Sequence, residues 1–136
     1  IYILYLEVKY LWIIAVVAKT ILIVEDNELN LRVFNDILQA EGYNTLKSRD
    51  GLNILEIMEE KRPDLVLMDI KLPIYSGFEI IKNIKLSKKI IDIPVIAVTA
   101  LAMSGDKKKI LDAGFNDYIT KPVSLKELLL TIKHLI

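Results

Sequence analysis

The stretch TILIVEDN, Thr20–Asn27, decides the fold of this chain of 136 residues. Its first part, Thr20–Val24, is an apolar run rich in β-branched residues, which is typical of a strand buried on both faces of a parallel sheet. Two carboxylates follow at once, Glu25 and Asp26, and either Asn27 or Asp26 can cap a helix. The stretch therefore predicts a buried strand that ends on acidic residues and leads into a helix.

The same strand–helix unit is repeated along the rest of the chain. Short apolar runs recur between helical segments, without a long linker or a low-complexity tract. Gly42 and Pro63 mark helix ends, because glycine favours a left-handed C-cap and proline cannot continue a helix. The predicted strands are Thr20–Val24, Tyr43–Leu46, Leu65–Met68, Pro94–Val98 and Asp117–Ile119.

Five helices are predicted to follow these five strands. Ser76 with Glu79, and Ser124 with Glu127, have the spacing of a capping box, and Asp50 is expected to cap the second helix. The apolar faces are predicted to comprise Leu31, Phe34 and Leu38 in the first helix, Leu52, Leu55 and Met58 in the second, Phe78, Ile81 and Ile84 in the third, and Leu125, Leu128, Leu129 and Ile132 in the last; the fourth helix, Ser104–Leu111, is polar.

This alternation predicts an α/β fold with a parallel sheet between two layers of helices, a three-layer α/β/α sandwich. Its crossover connections should be right-handed. In such sheets ligands bind outside the carboxyl ends of the strands. Residues at those ends are therefore the first candidates for a functional site.

Reactive side chains follow four of the five predicted strands. Glu25 and Asp26 follow the first strand, Asp69 the third, Thr99 the fourth and Lys121 lies beyond the fifth. Clustered carboxylates need a cation, and Mg²⁺ is bound by one or two carboxylates together with phosphate oxygens. A carboxylate beside such a metal can form an aspartyl phosphate, with an ammonium and a hydroxyl contacting the phosphoryl oxygens. The set therefore predicts a magnesium-dependent site that handles a phosphoryl group.

Each of these residues also has an ordinary structural interpretation. Asp26 is typical of a helix cap, Asp69 of a turn former, Thr99 of a β-strand and Lys121 of a solvated surface. Singly these signals are weak, but together, at successive strand ends, they favour one site. The Lys121–Pro122 bond is expected to be cis, which would direct the lysine inward.

Four segments carry a resemblance to a known family. ILIVEDNELN, DLVLMDIKLPIYSG, IPVIAVTALAM and YITKPVS closely resemble the receiver domain of two-component response regulators, from about Thr20 to the end of the chain. The resemblance implies a flavodoxin-like, or CheY-like, fold with strand order 2-1-3-4-5. Within the family the segments look most like the stand-alone, single-domain regulators of the DivK type.

The resemblance also implies a role for individual residues. The phosphoacceptor would be Asp69, with Thr99 as the switch hydroxyl, Lys121 as the lysine of the site and Tyr118 as the switch aromatic. Mg²⁺ would be bound by Glu25, Asp26, Asp69 and the backbone carbonyl of Lys71. The acidic pair is Glu-Asp rather than Asp-Asp, which leaves Asp26 as the direct ligand and gives Glu25 a water-mediated role.

The implied function is a phospho-switch. A histidine kinase or histidine phosphotransferase would donate the phosphoryl group, and the surface of the fourth helix, fifth strand and fifth helix would then change its protein contacts. The three lysines Lys107–Lys109 lie on this surface, where they indicate either a solvated helix face or a site for an acidic partner. A dimer that forms on phosphorylation is an alternative output of the same surface.

Three other functions are alternatives to the phospho-switch. A phosphatase of the haloacid dehalogenase type needs a second aspartate two residues after the first, but Lys71 follows Asp69 and Glu28 follows Asp26 at that spacing. A receiver fragment of a hybrid kinase or multidomain regulator is the main alternative. An inactive receiver used as a scaffold is disfavoured, because every chemical position is filled.

The composition excludes several other classes. Lysine plus arginine equal aspartate plus glutamate at 18 each, so no global charge favours nucleic acid or an anionic membrane. The chain has no cysteine, which excludes disulfides, thiolate metal sites and cysteine catalysis. The length indicates one domain, and we expect a cytoplasmic protein.

The first 18 residues, IYILYLEVKYLWIIAVVA, differ from the rest. All except Glu7 and Lys9 are apolar or aromatic, and these two charges interrupt the run of about 20 apolar residues that a membrane-spanning helix needs. No methionine precedes Met58. We expect residues 1–18 to be an over-extended translation outside the native domain, with residues 19–136 forming the receiver. An interfacial or spanning anchor, or a tail packed on the domain or a partner, are the alternatives.

Overall fold

The computed structural model describes residues 1–100 and 104–136, without the side chains of residues 13–17 and 104. Residues 101–103, which belong to the segment IPVIAVTALAM, lie outside the described part. The strands are β1 (Thr20–Val24), β2 (Asn44–Ser48), β3 (Leu65–Asp69), β4 (Val95–Thr99) and β5 (Asp117–Thr120). The helices are α1 (Tyr2–Val17), α2 (Glu28–Ala40), α3 (Ile54–Lys61), α4 (Gly77–Leu86), α5 (Ser104–Ala113) and α6 (Leu125–Leu135), of which α2–α6 are the five predicted ones.

The five strands form one parallel sheet in the order β2-β1-β3-β4-β5, as the sequence predicted. In the register, Val24 lies opposite both Ser48 and Met68, while Asp69 lies opposite Val98. The carboxyl ends of β1, β3 and β4 therefore meet at one edge of the sheet. The order places β1 and β3 side by side at the centre, so their terminal acidic residues become neighbours.

The core consists of two apolar clusters, one on each face of the sheet. Alternate residues of each central strand point to opposite faces, so that Leu22 of β1 joins one cluster and Ile23 joins the other. The first cluster is completed by α3, α4 and α5, for example through Ile81, and the second by α2 and α6, for example through Leu38 and Ile132. The predicted three-layer α/β/α arrangement is confirmed.

Local signals predicted most helix starts correctly. The side chain of Asn27 accepts a hydrogen bond from the backbone N–H of Asn30 at 2.9 Å, which identifies Asn27 as the cap of α2. The Ser76 hydroxyl accepts from the backbone N–H of Glu79 at 3.3 Å, and Ser124 caps α6 in the same way. These contacts satisfy backbone donors that the first turn of a helix leaves free.

The prediction for the start of the second helix, now α3, was wrong. Asp50 does not cap it, because its side chain accepts from the backbone N–H of Leu52 at 3.0 Å within a turn. The cap position is Asn53, which has a left-handed backbone (φ 60°), and the helix begins at Ile54. Leu52 therefore lies in the turn and is exposed instead of belonging to the helix face.

Further details differ from the expectation. Strands β3, β4 and β5 each continue one residue further than predicted, so that Asp69 and Thr99 are themselves the last residues of β3 and β4. Strand β2 is Asn44–Ser48 instead of the predicted Tyr43–Leu46. Leu125 is 49% exposed rather than part of the apolar face of α6, because it lies in the first turn, beyond the cluster that buries Leu128 and Ile132.

Helix α1 precedes the sheet, and none of its described side chains, those of residues 2–12, belongs to either core cluster. Most of its described side chains are exposed, Trp12 by 66%. Among the described residues, no helix reaches the length and apolar character needed to cross a membrane.

Candidate functional site

The carboxylate of Glu25 lies directly after β1 and is only 1% exposed. Its backbone N–H donates to the carbonyl of Ser48 at 3.0 Å, and its Oε1 accepts from the backbone N–H of Asn27 at 3.2 Å. Its other oxygen, Oε2, is buried and has no hydrogen-bond partner among the described residues. The site thus contains a buried carboxylate oxygen without a hydrogen-bond donor among the described residues, which is a candidate ligand for a cation.

Asp69 is the last residue of β3 and is 4% exposed. Its Oδ1 accepts from the backbone N–H of Lys71 at 3.0 Å. The loop after Asp69 returns to the end of β3, because the N–H of Gly77 donates to the carbonyl of Ile70 at 2.7 Å. A Cβ at Gly77 would lie 2.8 Å from Ile70 Cα and 3.0 Å from the carbonyl oxygen of Asp69, so only glycine permits this approach.

Lys121 brings a positive charge to the two carboxylates. Its Nζ lies 2.9 Å from Oδ2 of Asp69 and 4.0 Å from Oε2 of Glu25. Its backbone N–H donates to the carbonyl of Thr99 at 2.8 Å, which fixes the lysine at the end of β4. The Lys121–Pro122 bond is cis, as the sequence predicted.

The charges of these groups are strongly coupled. Burial, together with the negative charge of Asp69, raises the pKa of Glu25 to about 7, although Lys121 opposes this rise. Burial lowers the pKa of Lys121, but its hydrogen bond to Asp69 and the surrounding carboxylates outweigh burial and raise this pKa above its usual value. One cation does not neutralise three acidic groups, so the site favours a further positive charge.

The donor set fits a hard divalent cation. Oxygen atoms of Glu25, Asp26 and Asp69 lie within 4.8 Å of one another, and Asp26 is exposed while the other two are buried. Carboxylate oxygens are the ligands that Mg²⁺ prefers, and it keeps several waters, for which the exposed side of the cluster leaves room. The orphaned Oε2 of Glu25 is consistent with this use.

Thr99 and Tyr118 lie on the neighbouring strands. Thr99 is buried at the carboxyl end of β4, one residue beyond the partner of Asp69 in the sheet register. Tyr118 is half-buried and packs against the first core cluster. The Nζ of Lys107 on α5 lies 5.7 Å from the centre of the Tyr118 ring, within the range of a cation–π contact.

An apolar surface beside Lys121 was not predicted from the sequence. Leu29 and Val33 of α2 are exposed, and a cleft of about 280 Å³ lies next to them. The cleft is lined by Asn30, Val33, Phe34, Lys121, Pro122 and Val123. Leucine and valine on the side of α2 opposite Leu38 were the available signal, because an amphipathic surface helix normally carries polar residues there.

Comparisons with known proteins agree with this arrangement. Residues 21–133 match the response regulator receiver domain family. The polar-differentiation response regulator DivK of Brucella anthropi is 50% identical over 115 residues, covering 85% of this chain and 94% of that relative. DivK of Brucella ovis is 49% identical over 115 residues, with the same shares of both chains covered.

Solved structures show the same fold. The receiver domain of the sensor histidine kinase PA1611 from Pseudomonas aeruginosa, with a magnesium ion coordinated in its active site cleft, has a TM-score of 0.78 and 35% identity, covering 86% of this chain and 96% of that chain. The chemotaxis response regulator CheY4 of Vibrio cholerae has a TM-score of 0.81 at 23% identity, covering 88% and 99% of the two chains.

The chain therefore belongs to the response regulator receiver domain family. It is a phospho-accepting response regulator of two-component signalling, and thus a signalling protein rather than a metabolic enzyme. Membership of this family implies interaction with histidine kinases or histidine phosphotransferases.

Proposed function

We propose that Asp69 is the phosphoacceptor of this regulator. The observation that carries the proposal is the contact of the Asp69 carboxylate with Lys121 Nζ at 2.9 Å, in a cluster where oxygens of Glu25 and Asp26 lie within 4.8 Å. Asp69 is the member of this cluster at the end of the central strand β3, next to the loop that Gly77 holds in place.

The reaction is a phosphoryl transfer. A carboxylate oxygen of Asp69 forms a bond to phosphorus, the bond from phosphorus to the donor imidazole nitrogen breaks, and that nitrogen retains the electron pair. Lys121, which contacts Asp69, neutralises charge on the phosphoryl oxygens. Phosphorylation from small donors and hydrolysis of the aspartyl phosphate belong to the same site.

Glu25, Asp26, Asp69 and the backbone carbonyl of Lys71 would hold Mg²⁺. When bound, the ion supplies positive charge that offsets the carboxylates and the incoming phosphoryl group. Asp26 is the exposed member of the set. It would be the direct ligand, whereas Glu25 would act through a water. Burial, together with the charge of Asp69, raises the pKa of Glu25 to about 7, and the positive charge of the ion would favour its ionised form.

The output is a change in surface shape. In this proposal the Thr99 hydroxyl contacts the phosphoryl group and Tyr118 moves inward behind it. The equilibrium between two conformations of the surface formed by α5, β5 and α6 shifts as a result. Lys107 and Lys109 of this surface contact the rings of Tyr118 and Phe78, at 5.7 and 4.9 Å from the ring centres. The contact with Lys107 makes the ring of Tyr118 part of the surface that a partner would bind.

The phosphodonor docks on α2 beside the site. Leu29 and Val33 are exposed, and the adjoining cleft includes Lys121, which contacts the acceptor. An apolar surface next to a reactive edge suits a helical donor protein that presents its histidine to Asp69. Small donors such as acetyl phosphate do not need this surface.

The likeness to DivK supports a single-domain regulator that acts by protein contacts, in the manner of the polar-differentiation regulators that it resembles. Residues 19–136 form the receiver and residues 1–18 an extension outside it, in agreement with the family match to residues 21–133. A cytoplasmic location is part of the proposal, and the expected transfer from histidine kinases or phosphotransferases supports it. A receiver of a larger hybrid kinase is the second candidate, since the Pseudomonas aeruginosa relative is the receiver of a sensor histidine kinase.

Incubation of the full chain with Mg²⁺ and acetyl phosphate tests this proposal. The wild type should gain acid-labile phosphate, and chelation of the metal should prevent the gain. The Asp69→Asn variant should gain none, since an amide cannot form the acyl phosphate. Equal labelling of wild type and variant would contradict the assignment of the acceptor.

A further inference from the structure

The ring of Tyr118 is in contact with a lysine of the neighbouring helix. The Nζ of Lys107 on α5 lies 5.7 Å from the ring centre, within the distance of about 6 Å over which the face of an aromatic ring attracts a cation. Lys107 is exposed, whereas Tyr118 is half-buried and packs against the first core cluster. The contact therefore joins a solvated charge to a ring that lies between solvent and the core.

The packing of α5 places Lys107 beside the sheet. Ile110 is fully buried in the first core cluster, and residues three positions apart lie on the same side of a helix. Lys107 and Lys109 lie on the two flanks of Ile110. The Nζ of Lys109 lies 4.9 Å from the centre of the Phe78 ring on α4. This flank of α5 thus faces α4, and the opposite flank presents Lys107 to β5.

The contact with Lys107 depends on the position of the Tyr118 ring. In the proposed switch, this ring moves inward behind the Thr99 hydroxyl. The ammonium group of Lys107 does not follow it, because the burial of an unpaired charge is costly. Inward movement of the ring therefore breaks the contact, and the contact opposes the movement.

We propose that Lys107 is a positioning residue of the switch, which holds the Tyr118 ring in its outer position until Asp69 is phosphorylated. This inference rests on the proposed function, in which Tyr118 is the mobile ring. At an exposed site, a contact between a cation and a ring changes such an equilibrium by a factor of about two to five. Without the lysine, the inner position should gain population by this factor, and ligands of Asp69 that require it should bind more tightly.

Two other roles of Lys107 predict a change of the opposite sign. If its charge served to attract the anionic phosphoryl group, removal of the charge would weaken the binding of an anion. If it served only to stabilise α5, its removal would damage the surroundings of the site and weaken binding as well. Tighter binding of an anion after the loss of a positive charge therefore distinguishes the proposed role from both.

Beryllium trifluoride is a suitable probe, because it forms a tetrahedral adduct on a carboxylate oxygen and imitates a phosphoryl group. Full-length protein is titrated at saturating Mg²⁺, and the bound fluoride is measured by fluorine NMR. Lys107→Gln should bind the probe about two to five times more tightly than the wild type. Lys107→Arg keeps a cation over the ring and should bind as the wild type does. Equal or weaker binding by Lys107→Gln would overturn the proposal.

Two further variants test whether the effect passes through the ring. Lys108→Gln makes the same change of charge at the adjacent lysine, for which the described part of the chain shows no ring contact. Its affinity should equal that of the wild type. In a Tyr118→Leu background, Lys107→Gln should have no effect, because no ring is left to hold. Tighter binding by Lys108→Gln, or the same gain in the absence of the ring, would contradict the proposal.

The Asp69→Asn variant separates this inference from the proposed function. If the wild type did not bind the probe, or if Asp69→Asn bound it equally well, the proposed function would fail and this inference with it. If the wild type bound the probe, Asp69→Asn did not, and Lys107→Gln had the affinity of the wild type, only the role of Lys107 would be overturned.

Discussion

The Nζ atom of Lys121 lies 2.9 Å from Oδ2 of Asp69, although the two residues are 52 positions apart in the chain. The strand order brings them together, because β3 and β4 are neighbours and the backbone of Lys121 is bonded to the last residue of β4. If Asp69 is the phosphoacceptor, as we propose, this ion pair places the lysine beside the carboxylate before the phosphoryl group arrives. Lys121 would then need no large movement of the backbone to neutralise the charge that the reaction introduces.

Replacement of Lys121 by methionine should slow phosphorylation. Lys121→Met keeps most of the stem but removes the charge that lies beside Asp69 and Glu25. We expect phosphorylation by acetyl phosphate at saturating Mg²⁺ to slow roughly 10²-fold, as when one preorganised donor to a developing charge is lost. Lys126→Met, at an exposed lysine of α6, is the control. Equal rates for the two variants would show that Lys121 does not act in the transfer.

Replacement of Asp26 by asparagine should abolish stabilisation by magnesium. Asp26 is the exposed member of the carboxylate cluster, and Asn offers the cation a weaker, neutral oxygen. Thermal unfolding of the wild type should shift upward with Mg²⁺, whereas that of Asp26→Asn should not. Without metal the variant should be as stable as the wild type or slightly more so, because one of three like charges is gone. Asp112→Asn, at an exposed aspartate of α5, should keep the full response to magnesium.

Replacement of Thr99 by valine should separate phosphorylation from switching. Thr99→Val preserves the branched shape at a buried position but removes the hydroxyl. Asp69 should still be phosphorylated, but hydrogen exchange over residues 104–120 should no longer change on phosphorylation. Thr120→Val, at the residue paired with Thr99 in the sheet, is the matched control. If phosphorylation changed hydrogen exchange in Thr99→Val as much as in the wild type, the hydroxyl would have no part in the switch.

Replacement of Val33 by glutamate should impair transfer from a protein donor alone. Val33 is exposed on α2 and lines the cleft that contains Lys121. Transfer from a phosphorylated histidine kinase should slow at least about tenfold, since burial of a charge replaces burial of an apolar side chain. Labelling by acetyl phosphate should stay at the wild-type rate. A parallel loss with both donors would indicate damage to the site instead of the docking surface.

The sequence was sufficient for the sheet and for the placement of the chemical groups at its edge. Ile21–Val24 and Leu65–Met68 are apolar without a break, which is typical of central strands of a parallel sheet that is buried on both faces. The sequence predicts that Lys121 and Asp69 lie near each other, but not that they form a direct ion pair. The distance between them depends on the hydrogen bond from the backbone N–H of Lys121 to the carbonyl of Thr99.

Other features depend on which of several alternative local interactions forms, and the sequence alone does not decide between them. Asp50 had the composition of a helix cap, but its side chain bonds within its own turn, and the helix starts later. Leu125 had helical spacing with Leu128 and Leu129, yet the width of a buried face is set by the partner cluster. The exposed side of α2 at Leu29 and Val33 was also missed, because the spacing of a helix identifies its buried side and not the use of the opposite one.

The central claim is that Asp69 carries the phosphoryl group, and the most direct test is to locate that group in the wild-type chain. Protein phosphorylated with acetyl phosphate and Mg²⁺ is reduced with borohydride, which converts an acyl phosphate to an alcohol, and the modified residue is identified by peptide mass spectrometry. The modification is predicted at residue 69. Its appearance at Glu25, Asp26 or any other residue, with Asp69 unmodified, would contradict the account.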